Sequence, residues 1–380
     1  MSPMGRVPEV YARLGVKPVI NAQSWVTMLG GSLMRPEVLR AMDEAATAFV
    51  DLAQLTRAGG EIVARACAAE AGLITAGASS GNLLMAAAAM TGTDRAKVDQ
   101  LPDTAGMKNE ILIFKGGRNS YDKSFITAGA KLVEFGSSGG ARPYHLEAAI
   151  NEKTAGLAWI VAPFQNYPFP LEQAIEICHA RSIPVLVDAA AEVPPVENLT
   201  HFTRIGADMV AFSGGKGIGG PQNAGLLAGT KELIEAAFLH MFNLGSGTVG
   251  IGRPSKVPKE TVVGMATALE LFLESDHVAT WAGWRKQAEH IVGRLKSIPG
   301  LHVVIEDGDI NRQGPQAVIY IESDWKGPSP SDIRATLAAG DPSIRVGGGG
   351  YRDEINIVLV NVQLGEEEII ADRLEDILRG

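Results

Sequence analysis

Residues 207–222, ADMVAFSGGKGIGGPQ, pass from an apolar segment straight into a turn that sets a single lysine, Lys216, among five glycines. The apolar half is short and nearly unbroken, the signature of a strand buried on both faces of a sheet. The glycine half leaves the main chain bare, so that a ligand or another stretch of backbone can approach closely. A lysine in such a turn reads in three ways: a phosphate clamp, an amine for covalent chemistry, or a solvated turn residue.

The same texture repeats on either side. EILIF (110–114), AKLVEFG (130–136), LAWIVAP (157–163), PVLVDAAA (184–191) and AGLLAGT (224–230) all read as short apolar strands, and helical patterns such as LEQAIEICHARS lie between them. Strands of this kind alternating with helices predict an α/β fold with a mostly parallel sheet covered on both faces. Upstream lie a short helix-like lead (Pro8 to Leu14), KPVINAQ, an amphipathic stretch RPEVLRAMDEAATAFVDLAQL with Pro36 at a first helical turn, and the helix-like GEIVARACAAEAG. From about Lys259 the texture changes. One long helical pattern, ETVVGMATALELFLESDHVATWAGWRKQAEHIVGRLKSI, precedes three strand-like segments and a final helix, EEEIIADRLEDIL. The expected organisation is therefore residues 1–258 as an N-terminal segment and large domain, and 259–380 as a linking long helix and a small α+β domain.

A chain of 380 residues with 46% hydrophobic and 20% charged residues is long enough for a large core and has an ordinary globular composition. Its formal net charge of −9 and pI near 5.4 argue against a broad nucleic-acid-binding surface. Cys67 and Cys178 lie far apart in alanine-rich, helix-like surroundings and suggest buried thiols, with neither a disulfide framework nor a metal site. No signal-peptide pattern opens the chain, and no apolar run approaches the ~18 residues of a membrane span. A cytoplasmic enzyme is the expectation.

The lysine turn does not satisfy the P-loop pattern: the position six before Lys216 is Val210, and Gly217 stands where a magnesium-binding hydroxyl belongs. Gly215, Gly217 and Gly220 spell a dinucleotide fingerprint, but that motif opens a helix, and here the strand-like NAGLLAG follows. A nicotinamide-dependent oxidoreductase is the reading this motif offers. Covalent attachment of pyridoxal phosphate needs a carboxylate for the ring nitrogen and helix-terminal amides for the phosphate. Asp188 ends the strand PVLVD, one strand before the lysine turn, and TAGASSGN (75–82) leads into a helix with Ser79 and Ser80. Both strand ends fall where open parallel sheets bind ligands. Taken singly, a strand-ending Asp is also an ordinary N-cap, and a serine turn before a helix an ordinary capping signal. The order of all three along one α/β pattern is what points to the cofactor.

The segments VDAAAEVPPVENL and GADMVAFSGGKGIGGPQNAGLLAGTKELI resemble the fold-type-I pyridoxal-phosphate enzymes of the selenocysteine synthase-like branch, which includes seryl-tRNA selenium transferase and D-glucosaminate-6-phosphate ammonia lyases. The resemblance covers nearly the whole chain, from KPVINAQ to LGEEEIIADRLEDIL, and FSGGKGIGGPQ is its most specific part. It implies Lys216 as the Schiff-base lysine, Asp188 as the partner of the pyridine nitrogen, and Gly77, Ala78, Ser79 and Ser80 as the phosphate loop, with Ser213 beside them. LPDTAGMKNEILI and GRNSYD read like the short relatives, and the resemblance begins by about residue 18, which leaves no room for a tRNA-binding domain ahead of it. Relatives often carry a histidine just before RN, where this chain has Gly117; no histidine precedes residue 145. Arg118 is then the expected ring-stacking group, since a guanidinium plane lies well on an aromatic face.

On the substrate side, IGRPSKVPKE gathers Arg253, Lys256 and Lys259, a cationic cluster suited to a phosphate, and in relatives this region reaches the neighbouring subunit's site. A homodimer or larger assembly with shared sites follows. Arg345 in SIRVGGG matches the position where relatives keep an arginine, which suits a substrate carboxylate, with Arg352 as the alternative. PFQNYPFP follows a strand end and places Gln165 and Asn166 at the pocket edge. The implied activity is a pyridoxal-phosphate lyase acting on an amino acid or amino-sugar acid by β-elimination and ammonia release. Selenium transfer, racemisation and aldol cleavage draw on the same carbanion.

Overall fold

The computed structural model describes residues 8–161, 167–241, 249–307, 314–348 and 352–380. In chain order its strands are β1 (Val19–Ala22), β2 (Ala71–Thr75), β3 (Glu110–Phe114), β4 (Lys131–Phe135), β5 (Thr154–Ile160), β6 (Val185–Asp188), β7 (Met209–Ser213), β8 (Gly225–Gly229), β9 (Leu301–Glu306), β10 (Gln316–Ile321), β11 (Ser343–Gly348) and β12 (Ile355–Val358). The chain divides into two compact units, residues 32–275 and residues 1–31 with 276–380.

The larger unit holds a sheet in the order β2-β8-β7-β6-β5-β3-β4. Six strands run in one direction, and β8 opposes both its neighbours, β7 and β2. The reversal follows from the connection: the turn 214–224 contains no helix, and a parallel return requires a crossover. β3, β5, β6 and β8 are buried along their whole length, as their unbroken apolar runs predict. Across the sheet lies the Ala78–Thr91 helix, buried nearly all round because small residues such as Ala86, Ala87 and Ala88 let the surrounding elements close on it.

Two long helical patterns are each broken in the structure. The amphipathic stretch after residue 35 forms helices Pro36–Ala46 and Leu52–Ala66, the second capped by Asp51, whose carboxylate accepts from the Gln54 amide at 3.0 Å. The pattern after Lys259 forms helices Lys259–Leu273 and His277–Leu295, the second capped by Asp276, which accepts from the Ala279 amide at 2.8 Å. The second break, and not residue 258, is where the two units part. Helix Lys259–Leu273 packs on Pro36–Ala46 and Leu52–Ala66 and so belongs to the larger unit.

The smaller unit holds a sheet in the order β1-β11-β12-β10-β9. β1 pairs in parallel with β11, from Val19 opposite Ser343 to Ala22 opposite Val346, so the N-terminal segment completes the C-terminal unit. Helices His277–Leu295, Pro330–Ala339 and Glu366–Arg379 supply Ile291, Leu295, Ile333, Leu337, Ile370 and Leu374 to its core. Among the described residues no helix is long and apolar enough to cross a membrane.

Candidate active site

Three carboxyl-terminal strand ends meet at one edge of the larger sheet. β2 ends at Thr75 ahead of Gly77, β6 ends at Asp188, and β7 ends at Ser213 ahead of Lys216. Gly225 is the register partner of both Thr75 and Ser213, which brings the Gly77 turn alongside the start of the lysine turn. A Cβ on Gly225 would stand 2.6 Å from the Gly77 carbonyl carbon, so this side-by-side packing requires a glycine there.

Asp188 is only 5% exposed. Its Oδ2 accepts from Asn82 Nδ2 at 2.6 Å and its Oδ1 from the Ala190 amide at 3.1 Å. Burial pushes the carboxyl above its ordinary value; the Asn82 hydrogen bond, the Ala190 amide and the charge of Lys216 pull it back, and the charge of Asp122 adds to the rise. Asn82 was not singled out in the sequence. The signal that could have found it is a carboxamide in a helix otherwise made of small and apolar residues, one turn beyond the serine turn.

Lys216 sits partly buried in its turn, and burial depresses its amine below the ordinary value, while Asp188 and Glu192 act to raise it. The bare backbone around it is explained by close approach. A Cβ on Gly217 would stand 2.5 Å from the Val193 carbonyl oxygen and from Pro194 Cδ, so the lysine turn lies directly on the chain that continues from Asp188. Ser32 holds the opposite side, its amide and hydroxyl both donating to the Gly215 carbonyl at 3.2 Å. Gly215 to Gly220 run on into β8 rather than opening a helix, so the dinucleotide fingerprint lacks the context that gives it meaning.

The serine turn is the first turn of the Ala78–Thr91 helix itself, beginning earlier than the sequence pattern suggested. Gly77 precedes it at φ +87°, with no side-chain cap, and Gly81 is the first residue whose amide bonds back, to the Gly77 carbonyl at 3.1 Å. The amides of Ala78, Ser79 and Ser80 thus have no partner within the helix, an arrangement whose dipole suits a negatively charged group. A Cβ on Gly77 would meet no atom within 4 Å, so the approach is open. A buried carboxylate short of cationic partners, a partly desolvated amine and an uncapped helix start fit the ring nitrogen, aldehyde and phosphate of pyridoxal phosphate.

Arg118 lies in the 118–122 segment, whose buried Asp122 acts electrostatically on Asp188. The guanidinium is fixed by two carboxylates: Nε donates to Asp122 and Nη1 to Glu134 at 2.6 Å. Arg253 starts a short 3-10 turn, 253–255, half-buried in the larger unit. The Lys259 ammonium is engaged by the Ala45 carbonyl and the Glu260 carboxylate, which ties the start of its helix to the end of Pro36–Ala46. Arg345 is exposed on β11 of the smaller unit. Gln165 and Asn166 lie outside the described residues, but Tyr167 beside them is placed: its ring stacks on Trp159 at 3.8 Å, and its hydroxyl accepts from the Ile160 amide at 2.8 Å. Glu192 is the second residue that sequence reasoning missed; its Oε1 is buried with no hydrogen-bond partner among the described residues.

Residues 124–347 match the family model described as aminotransferase class-V. The chain is 35% identical to the D-glucosaminate-6-phosphate ammonia lyase of Salmonella typhimurium (strain 14028s / SGSC 2262), over 89% of each protein. It is 30% identical to the 5'-C-glycyluridine monooxygenase-decarboxylase of Streptomyces sp, over 97% of this chain and 92% of that one. A solved structure of a D-glucosaminate-6-phosphate ammonia-lyase superposes with a TM-score of 0.85 at 33% identity, covering 98% of this chain and 99% of the other. With this geometry and these relatives, the chain belongs to the class-V aminotransferase family and is a fold-type-I enzyme dependent on pyridoxal phosphate.

Proposed function

We propose that the protein is a carbon–nitrogen lyase that takes an amino acid or amino-sugar acid to a keto acid and ammonia. Water leaves in the elimination and water re-enters to release ammonia, so the net products are the keto acid and ammonia alone. The observation that carries this reading is the placement of Asp188 and Lys216 at the ends of adjacent strands, electrostatically coupled, beside an uncapped helix start. When bound, pyridoxal phosphate supplies an electron sink for a carbanion at the substrate α-carbon. Lys216 carries the cofactor and, once its amine is free, takes the α-proton. With the cofactor bound, Asp188 would keep the ring nitrogen protonated, the amides of Gly77 to Ser80 and the Ser213 hydroxyl would hold the phosphate, and Arg118 would pack on the ring. Arg345 takes the substrate carboxylate and Arg253 a substrate phosphate, with Gln165 and Lys259 at the rim. The assembly is a homodimer or larger, cytoplasmic, with sites shared between subunits and no nucleic-acid partner.

The test is reconstitution of the full chain with pyridoxal phosphate, followed by assay of keto acid and ammonia from a panel of amino acids and amino-sugar acids, with and without a 6-phosphate. Release of both products, falling to background in Lys216→Ala, is the expected outcome; absence of any visible cofactor band after reconstitution sinks the proposal. The similarity to a monooxygenase-decarboxylase over nearly its whole length favours one second reading, an oxidative decarboxylation. Oxygen uptake with carbon dioxide release, in place of ammonia, would select it.

A further inference from the structure

Gly77 stands at φ +87° and ψ 167°, a backbone conformation that only glycine adopts readily. A Cβ there would meet no atom within 4 Å, so packing on that side does not fix the peptide joining Gly77 to Ala78. Two hydrogen bonds do. The Gly81 amide donates to the Gly77 carbonyl at 3.1 Å, and the Thr75 hydroxyl donates to the same oxygen at 3.0 Å. Thr75 ends β2 and is fully buried, and a Cβ on Gly81 would stand 3.9 Å from its hydroxyl oxygen, under the first helical turn. From the other side β8 supports the same peptide: a Cβ on Gly225 would stand 2.9 Å from the Ala78 nitrogen. The Gly81 bond is the first of its helix, and helix ends fray. The Thr75 bond ties that end to the sheet.

In a planar trans peptide the C=O and N–H bonds point in opposite directions. Holding the Gly77 carbonyl toward the buried Thr75 hydroxyl therefore turns the Ala78 N–H away from it. We infer that Thr75 is a positioning residue for the phosphate turn, its hydroxyl fixing the Gly77–Ala78 peptide so that the Ala78 amide is aimed before any anion is bound. The inference rests on the reading that the amides of Gly77 to Ser80 hold the phosphate of pyridoxal phosphate. Without the hydroxyl, part of the binding energy goes into turning the peptide back, and the loss falls on the phosphate. The ring nitrogen and the aldehyde meet Asp188 and Lys216, whose placement does not depend on this peptide.

The test is spectroscopic titration of the full chain with pyridoxal 5'-phosphate and with pyridoxal, two aldehydes that differ only in the phosphate. Thr75→Val keeps the branched shape and removes the donor. Its affinity for pyridoxal 5'-phosphate is expected to fall about three- to tenfold, the worth of one net hydrogen bond, with that for pyridoxal unchanged. Thr75→Ser keeps the hydroxyl and is expected to keep the wild-type ratio of the two affinities. If the valine variant does not fold, Thr75→Ala, which also lacks the donor, carries the same comparison. An equal loss for both aldehydes, or no loss in a folded variant, overturns the inference, as does a serine variant that loses as much as the valine one. A wild-type protein that gives a visible band with neither aldehyde is a different result, since that removes the cofactor reading itself.

Discussion

Taking a carboxylate out of water is costly unless hydrogen bonds and opposite charge replace the lost solvation, and at Asp188 a carboxamide, one amide and a nearby amine do so. Asn82 makes the shorter of the two hydrogen bonds, from the same helix whose first turn offers its amides to a phosphate. Asn82→Leu removes a hydrogen bond to a charged group, which is worth about 1.5–3 kcal/mol. The carboxyl is then pushed further up and loses part of its hold on a cationic ring nitrogen. Affinity for pyridoxal phosphate is expected to fall by about tenfold or more with the fold retained, as measured by spectroscopic titration. At this scale the sequence was informative where candidate chemistry sits at the carboxyl ends of apolar runs: Asp188, Lys216 and the Gly77 turn are each marked in one dimension by the strand that leads to them. Asn82 and Glu192 were not, because a polar residue declares a role only through what it touches, or fails to touch, once buried.

At the scale of elements, the central Ala78–Thr91 helix is tied to helix Lys231–Met241 by a buried polar contact. His240 is fully buried, and its Nε2 meets Thr91 Oγ1 at 3.0 Å; the Thr91 hydroxyl lies 3.0 Å from the Ala87 carbonyl as donor, so the ring nitrogen is the donor to Thr91. Burial pushes the imidazole down to about 4. In the unfolded chain a histidine titrates near 6.5. The folded state therefore excludes a proton that the unfolded state takes up, and His240 contributes stability above the unfolded value that is lost as pH falls from about 6.5 to about 4. The loss amounts to about 3 kcal/mol over that window. Urea unfolding across this range is expected to show the slope, and His240→Gln to flatten it. The strands were legible because burial on both faces leaves an unbroken apolar run. The helix breaks were harder to see. A helical pattern continues through residues 47–51 and 274–276, and only the capping bonds of Asp51 and Asp276 mark where one helix stops and the next begins.

For the whole molecule, the division into residues 32–275 and residues 1–31 with 276–380 was the least legible feature, because it depends on a pairing between residues more than three hundred positions apart. Nothing local in KPVINAQ says which sheet it joins. Ile20 is 1% exposed in the core of the smaller unit, with Ile344 as its register partner. Ile20→Ala is expected to cost about 2–5 kcal/mol, as other large-to-small core changes do. Hydrogen exchange read by mass spectrometry should show faster exchange in β9 to β12 and helix His277–Leu295, with β5 to β7 unchanged; faster exchange confined to the larger sheet would contradict the division.

The β1–β11 ladder also has a consequence for synthesis. On a ribosome adding about 5–20 residues per second, the segment that supplies β1 emerges on the order of tens of seconds before β11 exists to receive it. Within that interval all the strands of the larger sheet are made, the last of them ending at Gly229, while the opening stretch waits with its backbone donors and acceptors unmatched by β11. An amino-terminal fusion or trimming is therefore, in folding terms, an alteration of the last part of the chain to be made.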